Sequence, residues 1–91
     1  MPEACVDVII PTLRPQAGML EEAVASARSS PLVRRVIVVD DGSDPPAEAP
    51  DGVVLLRQRN AGPGAARNRG LAASEAPWAL FLDDDDMLRP D

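Results

Sequence analysis

Apolar residues in this chain come in short runs, several of them stopped by proline or acidic residues. Val6-Asp7-Val8-Ile9-Ile10, closed by Pro11, predicts a first strand. Leu20, Ala23, Val24 and Ala27 then recur at i, i+3, i+4 and i+7, which is one helix face, and Pro31 ends that segment. Val36-Ile37-Val38-Val39 is continuous and β-branched, the pattern of a strand buried on both faces of a parallel sheet. Residues 44–52, rich in Pro, Ala and acid, read as a loop, and Val53-Val54-Leu55-Leu56 as a third strand. A second helix is predicted from Pro63 to Ser74, because proline suits the first helical position, where its missing N–H costs nothing. Ala66, Gly70 and Ala73 give that helix a small-residue stripe that can lie close on a sheet. After Pro77, Trp78 to Leu82 form the last predicted strand.

The order β-α-β-loop-β-α-β predicts an α/β fold with a parallel sheet of about four strands and right-handed crossovers. Pro11-Thr12, Asp40-Asp41-Gly42-Ser43, Asn60 and the run Asp83 to Asp86 each lie just after a strand. Ligands of open α/β sheets bind outside the carboxyl ends of the strands, so these motifs converge on one ligand edge.

Composition narrows the chemistry. The chain has 91 residues, 45% apolar, enough for one small core. Trp78 and Phe81 are its only aromatic residues, so the core is aliphatic. A net charge of −6 argues against nucleic acid as a partner, which would need a basic face. Cys5 is the only cysteine, which excludes an internal disulfide and a thiolate metal cage. No run approaches the roughly 18 apolar residues of a membrane span. The chain has no histidine, no tyrosine and no lysine; its 9 basic residues are all arginine. A histidine base, a Walker lysine or a lysine Schiff base within this chain is therefore excluded.

Four adjacent carboxylates at a strand end disfavour joint ionisation, and a hard divalent cation relieves that repulsion. Alternate residues of an extended segment face the same side, which pairs Asp83 with Asp85 and Asp84 with Asp86. Solvation or helix capping would also accommodate such a run. Asp40-Asp41-Gly42-Ser43 has turn chemistry, but a turn alone does not explain two carboxylates after four buried aliphatic residues. Gly62 to Gly70 lacks the third glycine of the dinucleotide fingerprint, since Arg67 stands there. What remains is a helix N-terminus with an arginine in its first turn, a combination that favours an anion such as phosphate. Arg67 and Arg69 as solvated residues in surface ion pairs is the plainer alternative.

Four segments together, Val8 to Thr12, Val38 to Ser43, Asn60 to Gly70 and Leu80 to Asp86, closely resemble the N-terminal half of family 2 glycosyltransferases with the GT-A fold. The resemblance implies a Rossmann-like nucleotide-binding half, a nucleotide-diphosphate sugar as donor (a UDP-sugar foremost), Mn²⁺ or Mg²⁺ as cofactor, and inverting transfer. By the same resemblance Pro11, Thr12 and Asp41 border the nucleobase, and Asn60 and Arg67 lie near the nucleotide. The Asp-x-Asp motif falls on Asp83-Asp84-Asp85. Asp85 then ligates the metal, Asp83 binds ribose or reaches the metal through water, and Asp84 completes the nucleotide-sugar contacts. Cell-envelope polysaccharide synthesis in the cytoplasm, at the inner face of the membrane, is the implied setting. The acceptor (glycan, lipid or protein) and the catalytic base belong to the family's second half.

The chain departs from the family in two places. Residues 44–52 are too short and too proline-rich for the helix usual between the second and third strands. The sequence also stops at Asp91, before the acceptor half. The expectation for residues 1–91 is thus the N-terminal part of one GT-A domain, able to hold nucleotide but not to transfer sugar. A sheet built to continue would leave one edge uncovered. The rivals are a non-catalytic nucleotide-binding or assembly module, a receiver-type signalling domain, which needs a lysine this chain lacks, and a calcium loop without the EF-hand ladder.

Overall fold

The computed structural model describes residues 4–86. Its elements are β1 (Val6–Thr12), α1 (Met19–Arg28), β2 (Val33–Asp40), β3 (Val54–Arg57), α2 (Pro63–Ala73) and β4 (Trp78–Phe81). The strands form one all-parallel sheet in the order β3-β2-β1-β4. The predicted α/β class and strand number hold, and residues 44–52 contain no helix.

The core has two layers because successive strand residues face opposite sides. Val8, Ile10, Val36 and Val38 pack with Leu20, Ala23, Val24 and Ala27, the predicted face of α1. Ile9, Ile37 and Val39 pack on the other side with Ala66 of α2. The continuous run in β2 is thus buried on both faces, as its composition requires. Gly70 permits the close seat of α2, since a Cβ there would overlap Ile9 Cγ2 and come within 3.3 Å of Val39 Cγ2.

Several predicted boundaries move. β1 does not stop at Pro11 but runs to Thr12, with Pro11 opposite Val39 and Thr12 opposite Asp40. The Leu82 N–H donates to the Ile9 carbonyl at 3.0 Å, so Ile9 turns its backbone groups toward β4. Pro11, two residues on, faces the same way beyond the last β4 pair, where no ladder requires its missing N–H. β2 begins at Val33 rather than Val36, taking in two arginines, and β3 and β4 each differ from prediction by a residue. α2 ends at Ala73, leaving Ser74 outside the helix.

The two arginines of β2 belong to a cluster at the amino end of the sheet. Asp7 is fully buried in β1, and its Oδ2 accepts hydrogen bonds from Arg34 at 3.0 Å, Ser74 Oγ at 2.8 Å and the Glu75 and Ala76 N–H groups. Arg35 lies 3.8 Å from the same oxygen and donates to the Ala73 carbonyl. Asp7 thereby ties β1 to β2 and to the turn between α2 and β4. Among the described residues β4 is an edge strand, with Trp78 68% exposed, Leu80 40% and Phe81 44%.

Candidate functional site

The opposite, carboxyl edge of the sheet carries the predicted motifs. A cleft of about 290 Å³ opens between the ends of β1, β2 and β4 and the first turn of α2. Pro11, Thr12, Leu13, Asp41, Pro63, Ala66 and Asp84 line it. Residues from all four predicted segments therefore meet within one hollow, at the lower end of ligand-sized pockets.

Hydrogen bonds join these segments. The Asp41 N–H donates to the Thr12 carbonyl at 2.9 Å, and the Arg14 N–H donates to Ser43 Oγ at 2.7 Å. Arg14 has φ +50°, a left-handed conformation uncommon outside glycine. Asp40 is buried and accepts from the Ser43 N–H at 3.0 Å and the Ala47 N–H at 2.9 Å. Burial works against its charge, but the Ser43 side chain first, then the Ala47 and Ser43 N–H groups and the nearby Arg57, outweigh it and hold its carboxyl below the ordinary value. Gly42, at φ +88°, lies so close to the next loop that a Cβ would come within 2.7 Å of the Asn60 nitrogen. Only glycine fits that turn.

Asp41 organises the approach to α2. Its Oδ1 accepts from Gln58 Nε2 and the Ala61 N–H, both at 2.9 Å, and its Oδ2 accepts from the Gly62 N–H at 3.1 Å. Gln58 is the main cause of its lowered pKa, with the Ala61 and Gly62 N–H groups adding to it. Asn60 Nδ2 donates to the Asp41 carbonyl at 3.0 Å, so Asn60 supports the cleft wall. Most of the acceptor capacity of Asp41 is thus engaged by protein donors. Arg67 projects from α2 outside the set of cleft-lining residues, and neither it nor Arg69 forms an ion pair among the described residues.

Beyond β4 the chain does not stay extended. The Asp86 N–H donates to the Asp83 carbonyl at 3.1 Å, closing a turn. The predicted pairing of Asp84 with Asp86 therefore fails, because the alternation rule applies only to an extended segment. Carboxylate oxygens of Asp83, Asp85 and Asp86 instead lie within 4.8 Å of one another, all exposed. Asp84 turns the other way, into the cleft, and accepts from Thr12 Oγ1 at 2.6 Å. Asp84 and Asp85 also border a second hollow of about 220 Å³ beside Leu13, Arg14, Pro15, Gln16 and Met19. An all-carboxylate donor set suits a hard cation such as Mg²⁺ or Mn²⁺, and Asp83, Asp85 and Asp86 are the described residues that could hold one.

Leu13, Arg14 and Gln58 were not among the residues expected at this edge. Gln58 follows directly on β3, so the strand-end rule that selects the other motifs also reaches it. Leu13 and Arg14 enter once β1 is allowed to run through Pro11.

An open parallel α/β sheet with a cleft at its carboxyl edge defines a ligand-binding class of fold. Sequence comparison gives the family: the model described as glycosyl transferase family 2 matches residues 7–91. The chain belongs to glycosyl transferase family 2. It is 35% identical over 100 residues to the succinoglycan biosynthesis protein ExoW of Rhizobium meliloti, covering 97% of this chain and 31% of that protein. It is 45% identical over 87 residues to the pre-mycofactocin glycosyltransferase of Mycobacterium tuberculosis, covering 88% of this chain and 17% of that protein. The succinoglycan biosynthesis protein ExoU of Rhizobium meliloti is 40% identical over 91 residues, covering 90% of this chain and 27% of that protein. The chain thus spans less than a third of the length of these relatives. Among the described residues no helix is long and apolar enough to cross a membrane.

Proposed function

We propose that the carboxyl edge of this sheet is the donor half-site of a sugar transferase, binding a nucleotide-diphosphate sugar through Mn²⁺ or Mg²⁺. The observation that carries this reading is the meeting of Thr12, Asp41 and Asp84 in one cleft, beside the group Asp83, Asp85 and Asp86, in a family 2 chain.

In this reading the nucleoside lies in the cleft against Pro11, Thr12 and Asp41, with Asn60 bracing the wall. Asp83 and Asp85 hold the cation, and Asp84 lies between the cleft and the second hollow. The bound metal would neutralise charge on the departing diphosphate. Arg67, which forms no ion pair among the described residues, would supply a second positive charge to that group. Uridine is the base proposed, inversion the stereochemical course, and the cytoplasmic face of the membrane the setting. The relatives carry different names, a succinoglycan biosynthesis protein and a pre-mycofactocin glycosyltransferase, so the proposal stops at the donor.

Calorimetric titration of UDP into the chain, with Mn²⁺ or with a chelator, tests the reading. Binding should require the metal and be lost in Asp85→Asn. Equal binding with the chelator, or an unaffected variant, contradicts it.

A further inference from the structure

The turn Asp83 to Asp86 lies beyond the last β4 ladder pair, and the last backbone bond to the sheet comes from the Leu82 N–H. Within the turn, the Asp86 N–H bonds back to the Asp83 carbonyl. Among the described residues one hydrogen bond joins this turn to the rest of the protein: Thr12 Oγ1 to Asp84 Oδ2, at 2.6 Å and across 72 positions of sequence. Its length is that of a strong hydroxyl–carboxylate bond. Thr12 is 3% exposed at the end of β1, and its carbonyl is fixed by the Asp41 N–H. The donor is therefore buried and fixed against the end of β2.

A tether is needed here because Asp83, Asp85 and Asp86 repel one another. An unrestrained exposed turn would relieve that repulsion by splaying. Thr12 opposes splaying by fixing the intervening Asp84. A threonine hydroxyl has a single proton, so while Asp84 holds it Thr12 cannot donate to a ligand.

We infer that Thr12 is a positioning residue: its hydroxyl anchors Asp84 and so keeps Asp83, Asp85 and Asp86 aimed at one point. The link to ligand affinity rests on the metal-dependent reading above; the anchoring does not.

Thr12→Val removes the proton at nearly constant shape, Thr12→Ser retains it, and Asp84→Ala removes the acceptor should the valine variant fold poorly. Two measurements separate the inference from the functional reading. The first is backbone ¹⁵N order parameters of residues 83–86 in the metal-free chain. They should fall toward about 0.6 or below in Thr12→Val and in Asp84→Ala, and recover in Thr12→Ser. The second is UDP affinity with Mn²⁺, which should weaken about tenfold or more in Thr12→Val and recover in Thr12→Ser. Unchanged order parameters overturn the inference whatever the affinity does. A loosened turn with unchanged affinity overturns it as a positioning role. A loosened turn in a chain whose wild type binds no UDP supports the anchor and removes the nucleotide reading.

Discussion

Asp7 shows how one residue can organise an edge that has no part in the site. It is a buried carboxylate whose partners come from β2 and from the turn after α2. Burial works against its charge, but hydrogen bonds from Ser74, Arg34, Glu75 and Ala76 outweigh it and hold the pKa below the ordinary 3.8. Removing one partner of such a pair leaves the other charge poorly compensated. Asp7→Asn should cost about 3 kcal/mol in urea unfolding, with the carboxyl-edge cleft unaffected. Asp40 and Asp41 are lowered in the same direction. Because all three bind protons more weakly when folded, their contribution is complete above the ordinary carboxylate value. It is lost as pH falls through the lowered folded values. The urea midpoint should therefore hold from pH 7 to about pH 5 and fall progressively below that, less steeply in Asp7→Asn. The hydrophobic pattern marked Asp7 only as a polar residue inside a strand. Its partners become visible once β1 and β2 are aligned in parallel, which sets Asp7 opposite Arg35.

Among the elements, the sequence was most legible where periodicity and burial coincide. The α1 face Leu20, Ala23, Val24 and Ala27 is buried as its spacing implies, because one apolar stripe can be satisfied in only one way. Boundaries were less legible where tertiary context decides them. Pro11 was read as a stop because a proline usually lacks a place in a ladder; here the short β4 leaves that place open. The turn at Asp83 to Asp86 escaped because four identical residues carry no pattern from which to read a bend. The small-residue stripe of α2 can be tested directly. Gly70→Ala should destabilise by about 1–3 kcal/mol, since Ile9 and Val39 occupy the space a methyl needs. Gly64→Ala, with nothing within 4 Å, should stabilise by about 0.5–1 kcal/mol. Thermal unfolding of the two variants should shift in opposite directions. Equal shifts would mean that helix propensity, not the close seat on the sheet, sets the glycine at position 70.

Across the whole molecule, the sheet has two chemically different ends. The amino end is tied by Asp7, and the carboxyl end gathers the strand-end motifs around a cleft. That division follows from the parallel topology, which sends every strand toward the same edge, and so it was readable from element order alone. The open side of β4 was readable only in outline. Its strand carries Trp78, Leu80 and Phe81 with no charge between them, which leaves an apolar edge exposed. Such edges promote association. Sedimentation of the chain should show concentration-dependent association that Trp78→Lys reduces; identical behaviour of the two proteins would discount the edge as its cause.

The central claim, that the carboxyl edge is a metal-dependent nucleotide site, is tested most directly by a ¹H–¹⁵N titration of the chain with UDP and Mg²⁺. Shifts should appear at Thr12, Asp41, residues 60–66 and Asp83 to Asp86, and should be absent without Mg²⁺. Asp7 and Ser74, at the far end of the same strands, should stay in place. Shifts centred on that amino end, or none in a folded chain with Mg²⁺ present, would contradict the account.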